Sequence, residues 1–327
     1  MTPFRTNRLL TRFDWLFTLT IGAALLAGCS GGSGDKSDAN DTPTSGSVRL
    51  SADATFEPIL RSHVDTFQKI YTQAKLNVSY KPEQEVITAL LDDSVRAVVV
   101  ARQLTADEKA VFDQLKIVPR TAHVATDGVA IIVHPSNPDS LLTMAQLRDI
   151  FSGAKTQWKQ LGGKSGALGE ITVVFDQNRS STARYVQDSV TRGAALVKKA
   201  FASESNPKLI EYVASHPNAI GVIGVNWISD QDDSQVQSFL RKVRVAGISR
   251  SDSPKKADEY VQPFQAYLAT KEYPLLRNVY IITREARAGL GTGFASFVAG
   301  NQGQLIFLKS GLMPATGQVR LIQANPQ

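Results

Sequence analysis

The stretch VPRTAHVATDGVAIIVHPSNP, residues 118–138, decides the fold, because it is long and β-rich and contains no helical pattern. Short strand-like runs alternate with helical patterns on both sides of it. A long extended run that interrupts such an alternation is typical of a strand that crosses between two α/β units. Residues 118–138 therefore predict a crossing from one lobe to another.

The segment before the crossing predicts strands of a mostly parallel sheet with helices packed on it. The strand-like runs are SVRLSAD (47–53), KLNVSYK (75–81) and RAVVVAR (96–102). The helical runs are FEPILRSHVDTFQKIY (56–71), EQEVITALLDD (83–93) and TADEKAVFDQL (105–115). In the first helix Phe56, Ile59, Leu60, Val64, Phe67, Ile70 and Tyr71 share one face. Thr105 and Glu108 have the spacing of a capping box, which indicates a helix start.

The segment after the crossing repeats this alternation. LTMAQLRDIFSG (142–153) predicts a helix with Thr143 as N-cap and Gly153 as its stop. The further strand-like runs are ITVVFD (171–176), AIGVIGVNWIS (219–229) and KVRVAGIS (242–249). A second α/β unit is therefore expected after residue 126.

A second uninterrupted run, residues 261–285, predicts the return crossing, and residues 291–311 predict a C-terminal helix. Two crossings predict two lobes joined by a two-strand hinge, each with a parallel-rich mixed sheet flanked by helices. We expect lobe 1 to comprise residues 48–125 and 262–327, and lobe 2 residues 126–261. Ligands of such sheets bind outside the carboxyl ends of the strands.

The N-terminus predicts export from the cytoplasm. Arginines at positions 5, 8 and 12 precede the apolar stretch Trp15–Ala27, which is typical of a secretory signal and short for a membrane span. The residues Leu26-Ala27-Gly28-Cys29 resemble the bacterial lipoprotein box, in which the cysteine is acylated. We therefore expect a signal peptide over residues 1–28, lipidation at Cys29 and a flexible tether over 29–47.

This N-terminus predicts an extracytoplasmic lipoprotein anchored to a membrane, in the periplasm of a Gram-negative bacterium, with inner and outer membrane left open. Several acyl chains anchor a protein stably, whereas one chain does not. Cys29 is the only cysteine, which excludes a disulfide framework. No later stretch is long and apolar enough to cross a bilayer.

The charge, the histidine positions and the motifs of the sequence bear on which partners and activities are expected. The net charge of +6 is spread along the chain without a basic stripe, so no nucleic acid is expected as a partner. The four histidines are far apart and lack metal-ligand spacing, so neither a metal nor a cofactor is expected. Neither a P-loop nor a G-x-S-x-G elbow occurs.

The stretch VVFDQNRSSTARYVQDSV, residues 173–190, is a strand-like run, a polar knot and a helix start. The knot consists of Asn178, Arg179, Ser180, Ser181 and Thr182, all of which can donate hydrogen bonds. Ser180 is a preferred N-cap residue, so capping alone could explain the knot. A nucleophilic serine and a site for an anion are the other two interpretations.

Four segments together resemble the phosphate-binding subunit of bacterial ABC transporters, in the same order and at similar spacing. They are TDGVAIIVHPSNP (126–138), LTMAQLRDIFSGAKTQW (142–158), EYPLLRNVYII (272–282) and GNQGQLIFLKSGLMPA (300–315). The resemblance implies the two-lobed type II periplasmic-binding-protein fold, whose lobes close on a ligand by hinge motion. It also implies phosphate or a similar oxyanion and an ABC permease as partners, and a monomer.

In that family four loops hold the oxyanion, and the resemblance maps them onto this chain. SADATFEPIL (51–60) matches a small-residue loop before Thr and Phe, which implies Thr55 and the backbone N–H of Phe56 as donors. The second loop matches a Ser-Arg pair and implies Arg102. The third implies Asp127 as acceptor of a hydrogen bond from a protonated oxyanion. The fourth matches Ser-Gly-Thr and implies Ser180, Ser181 and Thr182.

This chain departs from the family pattern at two of these loops. Ala101 replaces the serine of the second loop, so a hydroxyl contact is missing. The family's arginine upstream of the fourth loop is absent, and Asp176 and Asn178 stand where it is expected. Arg179 is the candidate substitute. These departures put strict phosphate selectivity in question.

Elementary electrostatics is compatible with the resemblance. Hydroxyls and unsatisfied N–H groups at helix starts bind anions. Asp127 would pair with a P–OH proton and repel a fully ionised oxyanion such as sulfate. The alternative function is an adhesion or sensing lipoprotein, or a weak phosphoesterase, on the same scaffold. The enzyme would need a base near Ser180 or Ser181, and only Asp176 is close in sequence, without a histidine to orient it.

Overall fold

The computed structural model describes residues 41–230 and 232–316 of the chain. The predicted signal peptide, the predicted lipidation site Cys29 and most of the predicted tether lie outside these residues. The prediction of a tether up to residue 47 is wrong at its C-terminal end, because Asp41 is buried and accepts a hydrogen bond from the backbone N–H of Leu290 at 2.6 Å. The first strand already begins at Gly46.

The first part of the chain forms the predicted alternation of strands and helices. Its elements are β1 (Gly46–Asp53), a 3-10 turn (Ala54–Phe56), α1 (Glu57–Ile70), β2 (Ala74–Lys81), α2 (Glu83–Leu91), β3 (Ala97–Val100), α3 (Ala106–Gln114) and β4 (Arg120–Val133). The capping box between Thr105 and Glu108 is confirmed at the start of α3. Strand β4 confirms the first crossing.

The second unit begins after β4. Its elements are β5 (Leu141–Thr143), α4 (Met144–Ser152), β6 (Thr172–Phe175), α5 (Ser181–Tyr185), β7 (Phe201–Ala202), α6 (Asn206–Ser215), β8 (Ala219–Gly224), α7 (Ser234–Lys242), β9 (Arg244–Val245) and β10 (Gly247–Ser249). Four 3-10 turns (Trp158–Leu161, Ser165–Leu168, Val225–Trp227 and Ala257–Glu259) and a π-helix that continues α5 (Val186–Val190) complete it. Thr143 caps α4, and Gly153 ends it at a φ of 77°, both as predicted.

The C-terminal part differs from the sequence prediction in two places. Its elements are α8 (Gln265–Ala269), β11 (Leu276–Thr283), α9 (Leu290–Ala299), α10 (Asn301–Lys309) and β12 (Met313–Pro314). The return crossing was expected to be extended throughout residues 261–285, but α8 interrupts it. The expected C-terminal helix is divided at Gly300, whose extended backbone (ψ 174°) cannot continue a helix.

Strand β4 is shared by the two halves of the sheet. In the first half β1 pairs in parallel with β2 and β3, while β11 runs antiparallel between β3 and β4. In the second half β4 pairs antiparallel with β8, which pairs in parallel with β6. The strand order among the described residues is β2-β1-β3-β11-β4-β8-β6-β7. This confirms a two-lobed, mixed α/β architecture with β4 and β11 as its connecting strands.

Each half has its own hydrophobic core. The first half packs residues such as Phe56, Phe67 and Phe294 against β1 and β3, and the second packs residues such as Phe151 and Trp158 against β6 and β8. The predicted apolar face of α1 is buried except at its end, where Ile70 is 43% exposed. The carboxyl ends of β1 and β6 both point into the region where the halves meet, and this positions the polar residues that follow them.

Across residues 41–230 and 232–316, none of the helices has the length and apolar character that a bilayer span requires. The same residues hold no group of three or more histidine, cysteine, aspartate or glutamate side chains placed to bind a metal ion.

Candidate functional site

A cluster of polar side chains lies buried where the two lobes meet. It consists of Asp53, Thr55, Asp127, Asp176, Ser180, Ser181, Thr182 and Arg277, and we call it the cleft cluster. Each of these residues is at most 4% exposed. Asp53 ends β1 and Thr55 follows it. Asp176 and the polar knot follow β6, and β4 and β11 provide Asp127 and Arg277. The structure therefore brings together the predicted residues of three separate loops.

The polar knot is organised by Ser180 and Asp176. Ser180 caps α5, since its Oγ accepts a hydrogen bond from the backbone N–H of Ala183 at 3.3 Å. The Thr182 hydroxyl lies 2.8 Å from Ser180 Oγ and donates to Asp176 Oδ1 at 2.6 Å. Ser180 therefore caps the helix and also belongs to the cleft cluster. The predicted cap is confirmed, but it does not explain why Ser181 is buried in the cluster.

Thr55 comes from the first half of the chain and is held by residues of the second half. Its backbone carbonyl accepts hydrogen bonds from Asn226 Nδ2 at 2.9 Å and from Trp227 Nε1 at 2.8 Å. Its hydroxyl lies 3.4 Å from Ser181 Oγ and 3.5 Å from Asp176 Oδ2. A Cβ on Gly224 would lie 2.6 Å from Thr55 Cγ2, so this position needs glycine for the close approach.

Asp53 was not anticipated as part of a site. Its Oδ1 accepts a hydrogen bond from the backbone N–H of Thr55 at 2.8 Å, and its Oδ2 accepts one from the backbone N–H of Ser181 at 3.3 Å. Burial raises the pKa of Asp53, and the nearby Asp176 carboxylate raises it further, while the Arg277 guanidinium acts in the opposite direction. Asp53 thus binds the backbone of Thr55 beside it and the backbone of Ser181, which lies 128 residues further along the chain.

Arg277, on β11, is the guanidinium of the cleft cluster. It donates to Asp127 Oδ2 from Nε at 3.0 Å and from Nη2 at 2.8 Å, and to Ser181 Oγ from Nη1 at 2.8 Å. Its guanidinium carbon lies 4.7 Å from the centre of the Phe56 ring, a cation–π distance. The predicted residue Phe56 therefore contacts the cluster through its ring.

Asp127 is fully buried beside Arg277. Burial raises the pKa of Asp127, and the Arg277 guanidinium opposes that shift. The second carboxylate oxygen, Oδ1, has no partner with full hydrogen-bond geometry in the part of the chain that the structure describes. An unpartnered buried acceptor is costly and is a feature that a protonated ligand group would satisfy.

Arg102 lies outside the cleft cluster, at its mouth. It pairs with Glu108 through Nη1 and Nη2, both at 2.7 Å, and its Nε lies 3.8 Å from Glu83 Oε2. Arg184, on the other lobe, donates to the same Glu83 carboxylate from Nε at 2.6 Å. Glu83 is therefore shared by arginines of both lobes.

Arg179, the candidate substitute for the family's upstream arginine, also lies outside the cleft cluster. Its side chain is exposed, and its backbone has a φ of 62° in the left-handed region. Arg179 and Arg102 line an open cavity of about 460 Å³ next to the cleft cluster. The buried positive charge comes instead from Arg277.

Sequence reasoning missed Asp53 and Arg277, and it noted Asp176 as a departure from the family pattern and as the candidate base of the alternative enzyme, but not as part of a binding site. Arg277 had one visible signal, because it is a single charged residue in the otherwise apolar run PLLRNVYII. Asp53 and Asp176 share another signal, since each is the carboxylate that ends a strand before a polar loop.

The cleft cluster contains more acidic side chains than basic ones. Among the described residues it contains the carboxylates of Asp53, Asp127 and Asp176 and the guanidinium of Arg277. Two unit charges 4 Å apart interact by about 4 kcal/mol at an effective dielectric constant of about 20, so this arrangement favours protonation of a carboxylate. The cluster combines hydroxyl and guanidinium donors with acidic acceptors, which suits a ligand that both accepts and donates hydrogen bonds.

Comparison with known proteins places the chain in a structural context. The model of the PBP superfamily domain matches residues 37–302. The phosphate-binding protein PstS of Bacillus subtilis is 23% identical over 321 residues, which cover 95% of this chain and 96% of that protein. The phosphate-binding protein PstS of Staphylococcus saprophyticus is 24% identical over 282 residues, with 86% and 82% covered.

A solved structure has the same fold. A phosphate ABC transporter substrate-binding protein from Clostridium perfringens, determined with bound phosphate, superposes with a TM-score of 0.66 at 22% identity. The match covers 83% of this chain and 100% of that one. At this identity the similarity establishes the fold, which agrees with the type II architecture expected from the sequence.

Proposed function

The chain belongs to the PBP superfamily, and from that premise we propose that it captures phosphate, or a related oxyanion, in the cleft between its lobes and delivers it to an ABC permease. Its similarity over most of its length to proteins named phosphate-binding protein PstS supports this function. It acts as a binding protein, without chemical conversion of the ligand.

The observation that carries the proposal is the meeting of Arg277, Ser181 and Asp127 in one buried place. Arg277 supplies a fixed positive charge, and its Nη1 already reaches the hydroxyl of Ser181 on the other lobe. Asp127 Oδ1 is a buried acceptor without a well-aligned donor among the described residues. A monoprotonated phosphate provides oxygens for the guanidinium and hydroxyls and a P–OH proton for the carboxylate.

The remaining donors come from Thr55, Ser180 and Thr182. Their hydroxyls lie within the cleft cluster. Thr55 and Ser181 belong to opposite lobes, and their hydroxyl oxygens are 3.4 Å apart. A ligand that forms hydrogen bonds with both lobes stabilises the closed state, which is the basis of capture by hinge motion. In this proposal Arg277 supplies the charge that Arg179 was expected to supply, and Arg102 acts at the mouth of the cleft.

The cellular setting of the proposal rests on the N-terminal sequence. We propose that residues 1–28 are removed, that acylated Cys29 anchors a monomer to a membrane in the periplasm, and that the ABC permease receives the ligand there. The lobe boundaries at residues 48–125 with 262–327, and 126–261, belong to the same proposal.

Titration calorimetry with phosphate tests the assignment of the site. Ser181→Ala combined with Thr182→Val removes hydroxyls of the cleft cluster with little change in volume, so phosphate binding should weaken at least about tenfold. Ser215→Ala, an exposed hydroxyl change in lobe 2, is the matched control and should bind as the wild type does. Equal phosphate affinity in all three proteins would refute the site.

A phosphoesterase on the same scaffold is the rival. The Ser181 hydroxyl accepts a hydrogen bond from Arg277, a contact that suits oxyanion binding better than removal of the serine proton. Release of nitrophenol from an aryl phosphate, abolished by Ser181→Ala, would favour the enzyme over the binding protein.

A further inference from the structure

The Asp53 carboxylate connects the two lobes through backbone hydrogen bonds. Its Oδ1 accepts from the N–H of Thr55 in lobe 1, and its Oδ2 accepts from the N–H of Ser181 in lobe 2. The side chain is fully buried, so this connection is shielded from solvent. Asp53 therefore occupies donors that both lobes direct into the cleft.

Asp176 completes the same pattern with hydroxyl groups. It accepts from Thr182 Oγ1 at 2.6 Å and from Thr55 Oγ1 at 3.5 Å. Donors of Thr55, Ser181 and Thr182 that suit an oxyanion are thus already satisfied by carboxylates of the chain itself. A second anion entering this place would meet like charge in a buried setting, which is unfavourable.

We propose that the Asp53 carboxylate is a built-in occupant of the oxyanion site, which holds the lobes together in the ligand-free protein and which the incoming oxyanion must displace. The inference rests on the proposed function for the identity of the ligand, while the role of Asp53 in closure is independent of it. Asp53 then sets how tightly and at which pH the cleft accepts an anion.

The charged and polar groups that face Asp53 define its pH dependence. They are Asp176 from the loop after β6, Arg277 from β11, Ser181 from α5 and Thr55 from its own loop. Burial and Asp176 raise the pKa of Asp53, so it takes up a proton more readily than an exposed aspartate does. Neutral Asp53 competes less with an anion, and phosphate affinity should rise as the pH falls.

Two variants separate the local role of Asp53 from its role across the cleft. Asp53→Asn keeps the size and an acceptor for the Thr55 N–H but removes the charge. Asp53→Ser also keeps an acceptor for that N–H, and its short neutral side chain gives up the bond to Ser181. Asp65→Asn makes the same charge change at an exposed position of α1 and is the matched control.

The first measurement is hydrogen–deuterium exchange of the full ligand-free lipoprotein in detergent. The peptide that contains Ser181 should exchange at least about tenfold faster in Asp53→Ser than in the wild type, because the cleft opens. Addition of phosphate should restore its protection. Unchanged exchange in a folded Asp53→Ser protein, with a thermal transition near that of the Asp65→Asn control, overturns the proposal.

The second measurement is titration calorimetry with phosphate at pH 8 and pH 5. Asp53→Asn should bind about tenfold more tightly than the wild type at pH 8, and the difference should narrow at pH 5. If Asp53→Asn binds phosphate as tightly as the wild type at pH 8, or more weakly, the proposed competition between Asp53 and phosphate is overturned. If no protein binds phosphate, the proposed function fails, and the exchange measurement alone decides the role of Asp53.

Discussion

Arg277 and Asp127, which are 150 residues apart in the chain, form a buried ion pair in which Nε and Nη2 of the guanidinium share the single oxygen Oδ2. The other oxygen of Asp127 and the Nη1 group of Arg277 are thereby directed elsewhere, Nη1 to Ser181. The pair joins the connecting strands β4 and β11 and supplies the charge of the cleft. It therefore contributes to stability and fixes a positive charge beside the Ser181 hydroxyl.

Replacement of Arg277 should destabilise the protein strongly. Arg277→Met leaves Asp127 as an unpaired buried carboxylate beside Asp53 and Asp176, at an expected cost of about 3–5 kcal/mol in the free energy of unfolding. Urea unfolding measures this change. The double variant Arg277→Met/Asp127→Asn removes the unpaired charge and should recover part of the lost stability. If the double variant instead loses the sum of what Arg277→Met and Asp127→Asn lose separately, the two residues are not directly coupled.

Replacement of Asp127 should change which oxyanion binds. Asp127→Asn removes a negative charge that repels fully ionised oxyanions and gives an amide that can donate to them. Sulfate binding should strengthen at least about tenfold relative to phosphate, as read from competition titrations. Asp188→Asn, an exposed change near the cleft mouth, should leave the ratio unaltered. An unchanged ratio in Asp127→Asn means that Asp127 does not discriminate.

Glu83 should control how fast the ligand leaves. Its carboxylate accepts from Ala101 N at 2.8 Å in lobe 1 and from Arg184 Nε at 2.6 Å in lobe 2, so it connects the two lobes. Glu83→Gln should speed phosphate release about tenfold in stopped-flow measurements, since a charge-assisted contact across the lobes is lost. Glu108→Gln changes a pair within lobe 1 and is the control; an identical effect of both would deny a special role for Glu83.

His63 should make the protein sensitive to acid. Burial lowers the pKa of His63 to about 4 from an ordinary 6.5, more than the backbone carbonyls of Ile59 and Gly303 raise it. Because the folded pKa is the lower one, this penalty is absent above pH 6.5 and grows as the pH falls toward 4, reaching about 3 kcal/mol. Thermal unfolding at pH 7.5 and 4.5 should show a smaller acid loss for His63→Gln than for the wild type, whereas the exposed control His123→Gln should lose as much as the wild type.

The fold was largely predictable because local signals agreed with it. The capping residues Thr105 and Thr143 and the stop at Gly153 fixed helix ends, and the unbroken run over β4 revealed the first crossing. Helix α8 was missed because its residues continue an apolar run that also fits a strand. The break at Gly300 was missed because the apolar pattern continues across it.

Only the loop residues of the candidate site could be predicted from the sequence. Thr55 and the Ser180–Thr182 segment follow strands directly, so their meeting at one edge follows from the sheet. Arg277 comes from a crossing strand, and its pairing with Asp127 depends on the antiparallel register of β11 and β4, which a single sequence does not reveal. The contact of Asp53 with Ser181 likewise joins two segments that lie 128 residues apart, and no local pattern in the sequence pairs them.

Native mass spectrometry of the purified protein tests the central claim most directly. Protein released from detergent and exposed to phosphate should carry one phosphate per chain, and the Ser181→Ala/Thr182→Val variant should carry markedly less. The account would be contradicted if the wild type bound neither phosphate nor arsenate nor sulfate, or if it carried a co-purified ligand without an oxyanion group that phosphate could not displace.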